Sequence, residues 1–327
     1  MRIAALLFFL AGAWGALADN SLSNLERTVL FGRNYIRMTE WAKSCQLDLR
    51  WVGAVKEKEL RATNATTRLL FTMDSYKAQV NGINFTLCLP VIFQKGVVYI
   101  SAVDVEISLH PLLFPQTVAP NSVIKTICLD PGHGGEDPGK MDGRMEEKRF
   151  TLLLSEEVER LLTRAGFKVV RTRTRDQTLK LADRPGIANQ HEADLFISLH
   201  YNAAPRKTVD GVEVYCLAPA GTLSSDGGKS APSYPGHAYD GRNTLLAYEM
   251  QRSLVKKLGM NDRGVKRSQF MVLLTAQMPA ILIEAGFMTN PEEAAQIYNA
   301  DHRKRMAGAI VDGILNYQKR VENQIRP

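Results

Sequence analysis

Along the chain, the spacing of apolar positions changes character at a single seam. Between residues 30 and 109, "RATNATTRLLFTM", "KAQVNGINFTLCLP" and "GVVYISAVDVEISL" read as short strands with polar residues interleaved. Asn81-Gly82, between two such runs, predicts a two-residue hairpin turn. One segment in this region, "NYIRMTEWAKSCQL", has helical spacing instead. The pattern then lapses over "HPLLFPQTVAPNS", residues 110–122, whose prolines and lack of periodicity predict a linker. From 123 to 320 strands and helices alternate. "VIKTICLD", "FKVVRTRT", "ADLFISLH", "GVEVYCLA", "FMVLLTA" and "AILIEAGF" are the expected strands. "EKRFTLLLSEEVERLLTRAG" puts Phe150, Leu154, Val158 and Leu161 on one helical face, with Gly166 as a stop. "RNTLLAYEMQRSLVKKLG" is helical as well, as is the long segment from Pro291, which Asn290 caps. The fold class expected is therefore α/β. A mostly parallel sheet flanked by helices (123–320) follows a small α+β domain (30–109).

The 327 residues are 45% hydrophobic, enough to bury a core. The first twenty, "MRIAALLFFLAGAWGALADN", have the positive Arg2, an apolar run from Ile3 to Trp14 and an Ala16-Leu17-Ala18 cleavage pattern. That is a signal peptide over residues 1–18, too short to span a bilayer. It predicts an exported protein, periplasmic or extracellular at the cell wall. The formal charge of +7 falls to +6 once Arg2 leaves with the signal, which suits an anionic partner such as cell wall. The cations are dispersed rather than striped, so no nucleic-acid module is expected. Of the four cysteines, Cys128 and Cys216 sit in apolar strands and read as buried thiols. Export leaves a Cys45–Cys88 bridge open. No C-x-x-C spacing points to a cysteine metal site.

The chemistry concentrates at strand ends. "LDPGHGGEDPGKM" nearly spells a phosphate-binding loop, yet Met141 stands where a magnesium-binding hydroxyl is needed. Glu136 and Asp137 would repel a polyphosphate, and Pro138 lacks an N–H, so no nucleotide is expected. Ligands in parallel sheets bind beyond the carboxyl ends of the strands. His133 follows the first strand of the α/β region, His200 closes "LFISLH", and Glu284 ends "AILIE". Glu147 opens the first helix. Singly, each has a structural explanation: a hydrogen-bonded histidine, or an acid favoured by the helix dipole. Glu284, directly after a buried apolar run, needs a partner or a task. Together, two imidazoles and a carboxylate are the ligand set of a catalytic zinc.

At these residues the chain resembles the zinc-dependent N-acetylmuramoyl-L-alanine amidases that cut bacterial peptidoglycan. The resemblance covers residues 127–317 through "LDPGHGGEDPG", "EEKRFTLLLSEEV", "RTRTRD", "RPGIANQHEADLFISLHYNAA", "GVEVYCL", "NDRGVKRSQFMVLL" and "MPAILIEAGFMTNPEEA". It implies one zinc ion held by His133, Glu147 and His200, with Glu284 as the catalytic carboxylate that moves the proton of the attacking water. Glu147 is chosen over Glu146 because it precedes Lys148. The substrate implied is peptidoglycan, at the bond between N-acetylmuramic acid and L-alanine. A monomer is expected; dependence on a protein activator is not readable. "VNGINFTLCLPVIFQKGVVYIS" resembles the copper amine oxidase N-terminal-like domain, without a copper-ligand cluster, and implies an accessory module. Two other readings are a zinc peptidase acting on another amide and a catalytically dead wall-binding protein. The intact quartet argues against the second. The breaker-rich stretch from Ala218 to Asn243 is expected to be a loop at the cleft, and His237 within it to be solvated rather than a ligand.

Overall fold

Strand pairing joins the two regions into one sheet. The computed structural model describes residues 22, 24–53, 58–118, 123–225, 227, 230 and 232–322. The expected signal peptide at 1–18 lies outside the described residues. The N-terminal strands are β1 (Arg27–Leu30), β2 (Arg33–Arg37), β3 (Asp48–Val52), β4 (Glu59–Thr63), β5 (Arg68–Thr72), β6 (Ser75–Val80), β7 (Ile83–Gln94) and β8 (Val97–Ser101), with helix α1 (Met38–Ser44) after β2. The Asn81-Gly82 turn connects β6 and β7 as expected, both residues having positive φ (49° and 82°). Helix α1 buries Met38 and Trp41 against the apolar face of β3–β7, where Trp41 meets Phe71 edge to face at 6.2 Å. At roughly 1.5–3 kcal/mol per fully buried large apolar side chain, this packing holds the small sheet to its helix.

The C-terminal region has the expected α/β order. Its elements are α2 (His110–Leu113), β9 (Thr126–Pro131), β10 (Met141–Asp142), β11 (Met145–Glu146), α3 (Glu147–Arg164), β12 (Lys168–Arg171), α4 (Asp183–Gln190), β13 (Leu195–Asn202), β14 (Val212–Leu217), α5 (Asp240–Leu258), β15 (Asp262–Ser268), α6 (Met271–Leu274), β16 (Ala280–Phe287), α7 (Pro291–Tyr298) and α8 (Ala300–Glu322). The main path of the sheet is β12-β9-β13-β16-β14-β15-β7-β6-β5-β4-β3. Strands β12, β9, β13 and β16 are parallel, β14 is antiparallel to β16, and β15 is parallel to both β14 and β7. Helix α3 buries Phe150, Leu154, Val158 and Leu162; Leu161, expected on that face, is only partly buried beside it.

Several local expectations change, each for a physical reason. The second half of "GVVYISAVDVEISL" leaves the sheet at residue 102 and becomes a π-helical turn, Asp104–Leu109. Asp104 causes the change. Its carboxylate accepts the N–H groups of Cys88 (2.7 Å) and Leu89 (3.0 Å) and the hydroxyls of Ser101 (2.6 Å) and Ser108 (2.7 Å), while the Ser101 hydroxyl accepts the Asp104 N–H. Ser-x-x-Asp is the spacing of a helix-starting box. The first half of the aperiodic 110–122 stretch is also helical: α2 buries His110, Pro111 and Leu112, and a 3₁₀ turn covers Pro115–Val118. "FMVLLTA" contains helix α6 rather than a strand; its Val272, Leu273 and Leu274 are buried in a satellite core, and a short apolar run has no period to decide between the two. Conversely the polar "DRGVKRS" is strand β15, because its charged side chains find partners on both sides. No Cys45–Cys88 bridge forms. All four cysteines are free, with Cys88 facing Ser108 and Cys45 closing α1 beside Ser44.

Asp104 is fully buried and joins the turn to β7, so Asp104→Ala leaves four donors without their acceptor. We expect a loss of at least about 2 kcal/mol of stability, read from the midpoint of urea unfolding. An unchanged midpoint would remove Asp104 as the reason this segment is helical.

Candidate active site

The site is built at the carboxyl ends of β9, β13 and β16. Beneath it lies Asp130, fully buried, which accepts Arg184 Nη1 (2.9 Å), the Thr172 hydroxyl (2.7 Å) and the Ser198 hydroxyl (2.8 Å). Arg184 also donates to the carbonyls of Pro131 (2.9 Å) and His133 (2.8 Å). Arg173 donates to those of Pro131 (3.0 Å) and Gly132 (2.8 Å). These bonds hold the loop after β9 in a conformation that puts His133 at φ +61°, an unfavourable region for a residue with a Cβ. The Asp137 carboxylate contacts His133 Nδ1 at 2.8 Å, leaving Nε2 to face inward.

Glu147 opens α3, is 3% exposed, and meets both histidines. Its Oε2 lies 3.1 Å from His133 Nε2 and its Oε1 3.1 Å from His200 Nδ1. The same oxygens accept the N–H groups of Lys140 (2.9 Å) and Tyr201 (3.0 Å). Burial favours the neutral acid, but the hydrogen bonds and charges of His133 and His200 prevail and hold Glu147 well below the usual carboxylate range. Burial likewise disfavours a charged His133, and Glu147 and Asp137 outweigh it, raising its pKa. The two imidazole rings stand 4.8 Å apart at 78°. One ligand atom from each of His133, Glu147 and His200 falls within 4.8 Å of the others, a set of N and O donors that fits a zinc-type ion. Two close approaches require glycine. A Cβ on Gly139 would lie 2.6 Å from both Glu147 Oε2 and His133 Cδ2, and one on Gly132 would collide with the His200 ring.

Glu284 is directly opposite His200 in the β13–β16 register and opposite Glu213 in β14. Its Oε2 is sealed from solvent and accepts no hydrogen bond. Burial raises its pKa well above the carboxylate range; the negative charges of Glu147 and Glu213 add to this, and Lys266 opposes it. Glu213, 2% exposed, is the neighbour that sequence reasoning missed. It accepts Asn202 Nδ2 (2.6 Å), the Tyr215 hydroxyl (2.8 Å), Arg263 Nε (2.8 Å) and Lys266 Nζ (2.6 Å), and despite its burial these partners lower its pKa. An acid inside the apolar alternation of "GVEVYCL" was the available signal. The structure thus gathers His133, Glu147 and His200 into one cluster and puts Glu284 on the adjoining strand.

The described residues of the stretch from Ala218 to Asn243 are not at this cleft. Because β14 runs antiparallel to β16, its last residues lead away from Glu284 toward the start of β16, where Asn243 accepts the Ala280 N–H at 2.8 Å. His237 is half-buried and lies outside the His133–Glu147–His200 group. Its Nδ1 accepts the Tyr234 N–H (2.8 Å) and its Nε2 lies 3.1 Å from the Ala218 carbonyl, tying the loop together.

Residues 127–316 match the family model of the N-acetylmuramoyl-L-alanine amidases, and the chain belongs to this family. Among its relatives is the uncharacterized protein YqiI of Bacillus subtilis, 37% identical over 194 residues, 59% of this chain and 84% of that protein. The N-acetylmuramoyl-L-alanine amidase LytC of B. subtilis is 31% identical over 195 residues, 60% of this chain but only 36% of LytC. The crystal structure of N-acetylmuramoyl-L-alanine amidase from Clostridium difficile 630 is 33% identical with a TM-score of 0.52, covering 60% of this chain and 97% of that one. These matches agree with the expected α/β fold class. Residues 30–109 lie outside the range of the family model, so their likeness to the copper amine oxidase N-terminal-like domain stays an expectation of the sequence.

Gly139→Ala tests the close packing of the cluster. The added methyl must displace Glu147 or His133, so divalent-metal affinity should fall about 10–100-fold, as for changes beside a metal ligand. Calorimetric titration reads it; unchanged affinity would mean the three side chains do not converge as described.

Proposed function

We propose that the chain is a zinc-dependent N-acetylmuramoyl-L-alanine amidase that hydrolyses the amide bond between N-acetylmuramic acid and L-alanine in peptidoglycan. In this reading residues 1–18 direct export to the periplasm or cell wall. Residues 123–320 form the catalytic domain, joined through 110–122 to an accessory domain at 30–109. The observation that carries the proposal is the convergence of His133, Glu147 and His200 beside a buried, unpaired Glu284 oxygen, in a chain of this family.

The side chains divide the work by their environments. His133, Glu147 and His200 would hold one zinc ion, which when bound supplies Lewis acidity to the amide carbonyl and to water. Asp137 orients the His133 ring so that Nε2 faces the ion's position. Glu284 takes the proton from the attacking water and delivers it to the departing amine of alanine. Its raised pKa makes it a stronger base toward that water than an ordinary carboxylate. Glu213, held charged by Arg263 and Lys266, keeps a second negative charge beside Glu284 and so favours the protonated form.

Digestion of purified peptidoglycan should release muramic acid carboxyls and alanine amines in equal amounts, and a chelator should stop both. Appearance of any other pair of ends would replace the bond proposed. Glu284→Gln should cut the rate by ~10²–10⁴-fold while zinc stays bound. Glu147→Gln should instead weaken zinc binding, with activity partly restored by excess zinc. The reverse pattern, with zinc lost on Glu284→Gln and retained on Glu147→Gln, would exchange the two roles.

A further inference from the structure

Resting on the amidase reading, we propose that the substrate cleft does not end at the catalytic residues but crosses onto the N-terminal sheet, whose polar face binds the peptidoglycan strand beyond the scissile bond. The strand register is the first support. Phe85 of β7 pairs with Val265 of β15, and Val265 pairs with Val214 of β14, an inward row that is 2% exposed or less. Alternation therefore puts their neighbours on the opposite face, where Lys266 pairs with Tyr215 and Glu213 is opposite Glu284. On β7 and β6 the same face has Thr86 paired with Lys77 and Asn84 paired with Gln79. Leu70 and Thr72 of β5 follow. Helix α1 covers the other face, and none of these β5, β6 and β7 residues is buried, so the polar face is left open along strands of both regions.

Two grooves lie along this face and share one wall. A groove of about 380 Å³ beside the catalytic strands is lined by Asn202, Arg206, Glu213, Arg263 and Lys266 among others. A second, of about 370 Å³, lies over β4–β7 and includes Thr72, Lys77, Gln79, Thr86 and the same Arg263. Arg263 engages Glu213 through Nε, which keeps its guanidinium between the two. From β16 to β5 the face spans five strand spacings, roughly 24 Å at about 4.8 Å each. A small amide would not need that length, whereas a polymer extends past its cleaved bond.

The chemistry of the lining fits the same occupant. Lys77, Arg206, Arg263 and Lys266 face two carboxylates, Glu59 and Glu213, and Glu213 is already paired. The surplus positive charge suits stem peptides, which carry free carboxylates. Thr72, Thr86 and Gln79 offer hydroxyl and amide groups to sugars and peptide bonds. Sheet continuity fixes the two grooves relative to each other, so the N-terminal region would act as the distal half of the binding site.

The test uses the full zinc-loaded chain with Glu284→Gln, which slows turnover by ~10²–10⁴-fold, sedimented with purified sacculi in the time before cleavage. Adding Lys77→Glu should weaken binding about 3- to 10-fold, as expected for reversing one exposed charge against a polyanion. Thr86→Trp, which fills the second groove without changing charge, should weaken it to a similar extent. Lys43→Glu makes the same charge change on α1, behind the sheet, and should leave binding at the parent level. Thermal melts establish that each variant is folded. Equal binding by all variants, or equal weakening by Lys77→Glu and Lys43→Glu, overturns the proposal. Cleavage by the unmutated chain is measured separately: a parent that binds sacculi but releases no muramic acid carboxyl would sink the amidase reading and not the groove.

Discussion

Asp130 is the carboxylate on which the catalytic edge depends. It sits fully buried near the end of β9 and binds Arg184 of α4, Thr172 beyond β12 and Ser198 of β13. Taking one charge away from a buried ion pair of this kind typically costs about 3–5 kcal/mol, because the survivor cannot be rehydrated. The pair therefore selects one arrangement of three elements. Arg184 then extends that arrangement into the loop by holding the carbonyls of Pro131 and His133. His133 can occupy an unfavourable backbone region because its surroundings leave it no other.

Above this support, three glutamates on adjoining elements, Glu147 and Glu213 buried and Glu284 half-buried, have different protonation behaviour. Glu147 accepts four donors, two of them imidazoles, and is held ionised. Glu213 is also held ionised, by Lys266, Arg263 and the Tyr215 hydroxyl. Glu284 lies between these two charges with one oxygen unpaired, and is driven toward the protonated form. The ionised and the protonated carboxylates are thus separated by hydrogen bonding rather than by residue type. Burial pushes all three pKa values up, and the carboxylates differ in how many donors oppose it.

The N-terminal region is tied to this centre by more than chain connectivity. Strand β15 lies between β14 and β7, Asn84 donates twice across the join to Asp262, and buried Arg267 reaches Ser108, Thr244 and the Phe85 ring. Such a join transmits register directly, since slipping one strand by a residue would turn every side chain to the wrong face.

What the sequence determined by itself follows from local rules. The Asn81-Gly82 turn, the Asn290 cap, most of the alternating and helical periods and the position of His133 just past β9 were legible, because each depends on residues a few positions apart. His200 and Glu284, expected as the last residues of their strands, lie inside them, since β13 continues to Asn202 and β16 to Phe287. The rule that parallel sheets bind ligands at their carboxyl ends brought His133, His200 and two candidate glutamates to one edge. The choice of Glu147 as the carboxylate grouped with the histidines came only from the resemblance to the amidase family. The tertiary structure decided the rest. Only long-range partners could make a strand of the polar "DRGVKRS", draw "MVLL" into a helix, or draw Glu213 into a network of four donors. The antiparallel direction of β14, invisible in a strand–helix count, took the chain after Leu217 to the far edge of the sheet. Periodicity records which face of an element is buried; it carries no information about which element buries it or which way a neighbouring strand runs.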